Sequence, residues 1–177
     1  MEVFLIRHTI PDVGRGSIYG RTDVGLAESF DTEKRPVIDK LPEHIDIVVS
    51  SPSSRCTLLA REITGSYLED KRLMELDFGL WEGKTWDTID RLESEKWMID
   101  FVNTAPPQGE SLNQMNERVM SFWNELLQYS HPRIAIVTHA GVIRLILSAV
   151  NSAPLESLFD IHVQYGEVIT LNIPSRI

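Results

Sequence analysis

The chain has 177 residues, 42% of them hydrophobic and 24% charged, with a formal net charge of −9. That length and composition predict one soluble globular domain over 1–177. The negative balance argues against nucleic-acid or anionic-membrane partners, which need a cationic face.

A single cysteine, Cys56, excludes an intrachain disulfide and reads as a small buried apolar residue within a helical pattern. The opening MEVFLIRH shows no basic leader ahead of a long apolar stretch. The longest apolar segment, near 142–150, is interrupted by Arg144 and is far short of the ~20 residues that span a bilayer. A cytoplasmic location is therefore expected.

In chain order, Val3-Phe4-Leu5-Ile6 is a short continuous apolar run and predicts a strand covered on both faces. It stops at Arg7-His8, which places a cation and an imidazole at the carboxyl edge of a sheet, where open α/β folds bind ligands. A long glycine-bearing loop over 10–24 follows, then a second strand over 45–49. Ser51-Pro52 reads as a helix start, a serine cap with proline at the first helical position, running to a stop at Gly65. At least one further strand is expected near 67–76. Residues 81–109 carry Trp81, Trp86 and Trp97, end in Pro106-Pro107-Gln108-Gly109, and read as a second long loop of functional size.

Ser111 with Gln114 three residues later makes a capping box. Leu112, Met115, Val119, Phe122 and Leu126 then recur at helical spacing, a strongly amphipathic pattern. The run 134–137 predicts a strand that stops at Thr138-His139-Ala140-Gly141, with a helix beginning after Gly141. The alternating run 168–173 predicts a strand nearer an edge. Strands alternating with helices give an α/β fold: a three-layer α/β/α sandwich with a mostly parallel central sheet.

The strand ends carry the chemistry. A neutral imidazole such as His8 is a competent nucleophile near pH 7 when its other ring nitrogen is held by a hydrogen bond. Arg7 offers a planar fork that matches phosphate or carboxylate oxygens. Arg55 falls one turn into the helix opened by Ser51-Pro52, near an end that already favours anions. His139 supplies an imidazole at another strand-to-helix junction. Each residue alone has an ordinary structural reading; the set does not. Two arginines and a protonated histidine can oppose the charge of a phosphoryl group with no metal and no cofactor.

These segments resemble the histidine phosphatase superfamily, the phosphoglycerate mutase-like phosphatases, over nearly the whole chain. Arg7-His8-Thr9 is similar to the family's opening motif, which implies that His8 becomes phosphorylated. Ser50-Ser51-Pro52 through Arg55 resembles the motif whose arginine binds phosphate. The run from Val137 through Thr138-His139-Ala140-Gly141 to Arg144 resembles the motif whose histidine contacts the phosphoryl group. Glu75-Leu76-Asp77-Phe78-Gly79 resembles the segment whose glutamate is the proton donor, with Glu82 the competing candidate. The pattern departs from the family's commonest form at Thr9-Ile10, where Gly-Glu is usual, and at Gly14, where asparagine is frequent.

A closer similarity is to the α-ribazole phosphatase branch, carried by Tyr19-Gly20-Arg21-Thr22-Asp23-Val24, by Leu76-Asp77-Phe78-Gly79 and by Pro107-Gln108-Gly109-Glu110-Ser111. The resemblance implies a metal-independent phosphomonoesterase working through phosphohistidine. Arg7, Arg55, His139, Thr9, Ala140 and Arg21 would bind a small-molecule phosphate ester, and Glu75 would act as acid. The tryptophans between 81 and 97 either cover the core or stack on a flat base. A broad-specificity phosphatase, a phosphoglycerate mutase and a phosphate-binding module without turnover are the alternatives. The oligomeric state is left open, a homodimer included.

Overall fold

A computed structural model describes residues 1–174. The two apolar runs that end on histidine become the two longest strands, β1 (Glu2–Arg7) and β4 (Arg133–Thr138). They lie side by side and parallel, in register from Glu2↔Arg133 to Arg7↔Thr138. β2 (Ile47–Ser50) runs parallel on the far side of β4, and the two-residue β3 (Leu68–Glu69) extends beyond it. β5 (Val168–Asn172) closes the other edge antiparallel to β1, so the sheet order is β3-β2-β4-β1-β5. An edge position suits the alternating pattern of β5, because one face of it stays wet.

Alternate residues of the inner strands build two separate cores. Val3, Leu5, Ile134 and Ile136 pack against α4 (Leu112–Leu126) and α5 (Ala140–Val150). Phe4, Ile6, Ala135 and Val137 pack on the opposite face with Val37 of α1 (Phe30–Ile38) and with Cys56, Leu59 and Ala60 of α2 (Ser54–Ile63). Helices on both faces of a mostly parallel sheet form the expected three layers. Each fully buried aliphatic side chain contributes about 1.5–3 kcal/mol over leaving it exposed.

The capping box of α4 forms as its spacing predicts: Gln114 N donates to Ser111 Oγ (3.3 Å) and Ser111 N donates to Gln114 Oε1 (2.8 Å). Elsewhere local signals give way to tertiary demands. α2 starts at Ser54, after Ser53, rather than at Ser51-Pro52, because the Ser51 hydroxyl is drawn instead to His139. α5 starts at Ala140, ahead of Gly141. Most of 67–76 is not strand: β3 takes two residues and a single 3₁₀ turn, Lys71–Leu73, follows. The segment 81–109 is not one loop, since it holds α3 (Arg91–Ile99), opened by Asp90, whose Oδ1 accepts from Leu92 N and Glu93 N. No described helix is long and apolar enough to cross a membrane.

Candidate active site

Parallel register brings the ends of β1, β2 and β4 to one edge of the sheet, and with them Arg7-His8, Ser50-Ser51 and Thr138-His139. The backbone continues the sheet one step further: His8 N donates to Thr138 O (3.1 Å) and Ser51 N to Val137 O (2.9 Å). His8 is thereby held rigidly, only 2% exposed. Its Nδ1 donates to the carbonyl of Thr9 at 2.7 Å, which fixes the tautomer and leaves Nε2 as the ring's lone-pair nitrogen. The His139 ring stands edge-on to it, centroids 5.2 Å apart, and shares a hydrogen bond of 2.8 Å between Nε2 and Ser51 Oγ.

Both imidazoles are held neutral. Burial, opposed by the Thr9 carbonyl and assisted by the charges of Arg55 and Arg7, pulls the His8 pKa down to about 3. Burial together with His8, Arg55, Arg118 and Arg7 pushes His139 well below the ordinary histidine range. A protonated histidine is thus disfavoured while the site is free of an anion. The same arginines that would welcome an anion repel a proton from the ring until that anion arrives.

Arg7 and His8 line a cavity of about 230 Å³ with Glu75, His139 and Ala140. Arg7 donates to Val163 O (2.7 Å), and its guanidinium lies 3.6 Å above the Tyr165 ring. The Tyr165 hydroxyl meets that of Tyr19 at 2.6 Å, and the Tyr19 ring lies against Arg55. Two tyrosines therefore brace the two arginines about His8. Arg55 is fully buried behind the cavity lining, of which it is not a member, and donates to Gly20 O (2.7 Å) and Thr22 O (3.0 Å). The Nε atoms of Arg7 and Arg55 are buried without a partner, an arrangement that leaves donor capacity near the two rings.

Three other expected residues fall differently. Thr9 is buried behind His8 and contributes its carbonyl, while its hydroxyl has no partner. Arg21 does not reach the cavity wall: its guanidinium is committed to Glu75 O (3.1 Å), Met74 Sδ (3.7 Å) and Glu110 Oε1 (3.3 Å). Glu82 accepts from Arg21 N, Thr22 N, the Thr22 hydroxyl and Phe78 N. Burial alone would raise its pKa, but those hydrogen bonds hold it below the usual carboxylate range. Glu82 organises the loop, and its carboxylate is spent there.

Glu75, the expected acid, lines the same cavity as the two histidines. Its Oε1 accepts from Leu76 N (2.9 Å) and its Oε2 from Gly141 N (3.1 Å), in the first turn of α5. A Cβ built on Gly141 would overlap Glu75 Oε1, so only glycine leaves the carboxylate its place. Arg118 of α4, which sequence pattern did not single out, donates to Arg72 O (2.8 Å), Met74 O (2.6 Å) and Glu75 O (3.0 Å). Glu110 pairs with both Arg118 and Arg21 and accepts from Asp77 N (3.1 Å). The backbone carrying Glu75 is therefore gripped from two sides by an Arg–Glu–Arg triad.

The tryptophans divide. Trp81 and Trp97 are buried in a satellite core with Ile18 and Ile89. Trp86 is 45% exposed and lines the cavity with Phe78 and Phe159, the latter 48% exposed. Trp86 packs on Trp81 and Trp97 (ring centres 5.9 and 5.5 Å apart) and Phe159 on Phe101 (5.0 Å), so these rings both extend the satellite core and border the cavity. Among the described residues no cluster of three or more His, Cys, Asp or Glu is placed to hold a metal ion. A rigid neutral imidazole sharing a cavity with an acid, with arginines alongside, can accept a phosphoryl group while the acid donates a proton to what leaves.

Comparison with known proteins adds the ancestry. The family model described as the histidine phosphatase superfamily (branch 1) matches residues 3–176. Phosphoserine phosphatase 1 of Hydrogenobacter thermophilus is 25% identical over 99% of this chain and 88% of its own. The adenosylcobalamin/α-ribazole phosphatase of Salmonella typhimurium is 26% identical over 94% of this chain and 87% of its own. The crystal structure of the α-ribazole phosphatase from Shigella flexneri superposes with a TM-score of 0.90 at 24% identity, covering 98% of this chain and 91% of that one.

Proposed function

We propose, from the premise that the chain belongs to the histidine phosphatase superfamily and is a phosphoric monoester hydrolase, that it dephosphorylates α-ribazole 5′-phosphate through a phosphohistidine at His8. His8 Nε2 attacks phosphorus in line, forming the N–P bond as the P–O bond to the ribose breaks. Glu75 passes its proton to the departing alkoxide. The Glu75 carboxylate then takes a proton from water, whose oxygen attacks phosphorus and returns His8 to its starting state with release of inorganic phosphate. Arg7, Arg55 and His139 oppose the charge on the phosphoryl oxygens, the term that dominates this chemistry.

The observation that carries the choice of substrate is the aromatic wall beside Glu75, formed by exposed Trp86 and Phe159 with half-buried Phe78. A flat heteroaromatic base has a face to stack on such a wall, which a small amino-acid ester lacks. The similarity to α-ribazole phosphatases supports the same choice. A phosphate-release panel tests it: α-ribazole 5′-phosphate is expected to give a higher kcat/KM than phosphoserine, phosphoglycerates, sugar phosphates or nucleotides. Equal values across the panel would reduce the protein to a general phosphatase.

A further inference from the structure

Arg144 stands in the first turns of α5, three residues beyond Gly141, and residues so spaced share a helix face. Gly141 N holds the Glu75 carboxylate, so the next group along that face is near enough to feel its charge. Arg144 lines the same cavity as His8 and Glu75. Its Nε donates to Ile161 O (2.7 Å), and its guanidinium lies 5.8 Å from the Phe159 ring centre. The side chain is thereby aimed and backed, yet among the described residues no carboxylate pairs with it. Burial lowers its pKa against the opposing pull of the Glu75 charge, a sign of a cation kept partly out of water. A half-buried guanidinium without a counter-ion is costly unless something else accepts its hydrogen bonds.

We propose that Arg144 is a specificity-determining residue that hydrogen-bonds an acceptor oxygen of the leaving alcohol, a hydroxyl or a carboxylate close to the ester carbon. This rests on the reading of the cavity as the phosphatase site and adds a second polar anchor to it. The phosphoryl group sits with His8, the leaving oxygen with Glu75, and the next oxygens of the alcohol with the two terminal nitrogens of Arg144. An ester whose alcohol has no such oxygen gains nothing from this group.

The test compares kcat/KM of the wild-type protein and of Arg144→Met on ribose 5-phosphate, phosphoserine and phenyl phosphate. The expected result is a loss of about 10- to 100-fold on esters that carry the acceptor, the worth of one charged hydrogen bond, with phenyl phosphate changed less than about twofold. A loss confined to ribose 5-phosphate assigns hydroxyl recognition, and one confined to phosphoserine assigns carboxylate recognition. Equal losses on all three esters would place Arg144 on the phosphoryl group or in the fold and overturn the proposal, as would no loss on any. Arg144→Lys, which keeps the charge without the fork, carries the same comparison should the methionine variant fold poorly. If α-ribazole 5′-phosphate proves no better than other esters, the substrate reading fails while the ratio measured here still decides Arg144. Calorimetric binding of the same esters to Glu75→Gln reads that ratio without turnover.

Discussion

The imidazoles of His8 and His139 meet edge-on with their planes at 67°, and a different neighbour pins each ring through one nitrogen. Thr9 O accepts a hydrogen bond from His8 Nδ1, and Ser51 Oγ meets His139 Nε2. Strand register supplies this geometry, since both residues directly follow paired strand ends. Both rings are therefore held in place by the sheet, and in the proposed mechanism the attacking nitrogen is oriented before the ester arrives.

On the proposed mechanism, replacing His8 removes the covalent route. His8→Gln should lower kcat by on the order of 10³-fold or more, and the acid-labile phosphoryl label that rapid quenching finds on the wild-type protein should vanish. Undiminished turnover in the variant would refute the assignment.

The acid should matter in proportion to how badly the leaving group needs a proton. Glu75→Gln is expected to lose about 10²- to 10⁴-fold on alkyl phosphates and much less on p-nitrophenyl phosphate, whose phenolate departs unaided. Equal losses on both esters would remove Glu75 from that role.

The Arg118–Glu110–Arg21 triad holds the backbone of Glu75 and lies outside the cavity lining, so on the proposed mechanism it positions the acid. Glu110→Gln should lower kcat on alkyl esters by about 10- to 100-fold, the scale of a 1 Å misplacement, with KM little changed. The loss should again be smaller on p-nitrophenyl phosphate. A uniform drop across esters, tracking a fall in thermal stability, would mean that the triad serves only the fold.

Stability should weaken on mild acidification. An unfolded histidine takes its proton near pH 6.5, whereas native His8 resists to about 3 and native His139 also lies well below the ordinary range. Below 6.5 the unfolded chain binds protons that the native state refuses, so unfolding becomes easier as pH falls; the stability is fully present above that value. The slope is up to about 1.4 kcal/mol per pH unit for each such histidine. Urea midpoints between pH 7.5 and 5 measure it, and His8→Gln should remove the share due to that ring. A pH-independent midpoint would contradict the burial argument.

Much of the site could be read from the chain because the residues that matter sit where apolar runs stop. Two strands ending on histidine carry His8 and His139 to one edge whatever the loops do, and Glu75 stood out only through its similarity to a known segment. The helices were uneven. α4 announced itself by its capping box and stripe, but α1 contains Pro36, which interrupts a helical signal. α3 buries only Trp97 and so shows no apolar face, although Asp90 followed by Glu93 was a legible start. Side-chain commitments were hidden for a different reason. That Arg21 turns to Glu110, and that Ser51 gives up its cap to meet His139, depends on residues 89 and 88 positions away. No local pattern encodes such partners.

The bare α-carbon of Gly141 gives this architecture an unusual point of control. Adding one methyl group there would displace the carboxylate of Glu75, the proposed proton donor, and press on Met115 of the first core at 3.1 Å, while leaving His8 and the arginines untouched. G141A should therefore yield a protein that still captures its ester but stalls at bond cleavage. Such a bait could retrieve the physiological substrate from a cell extract intact.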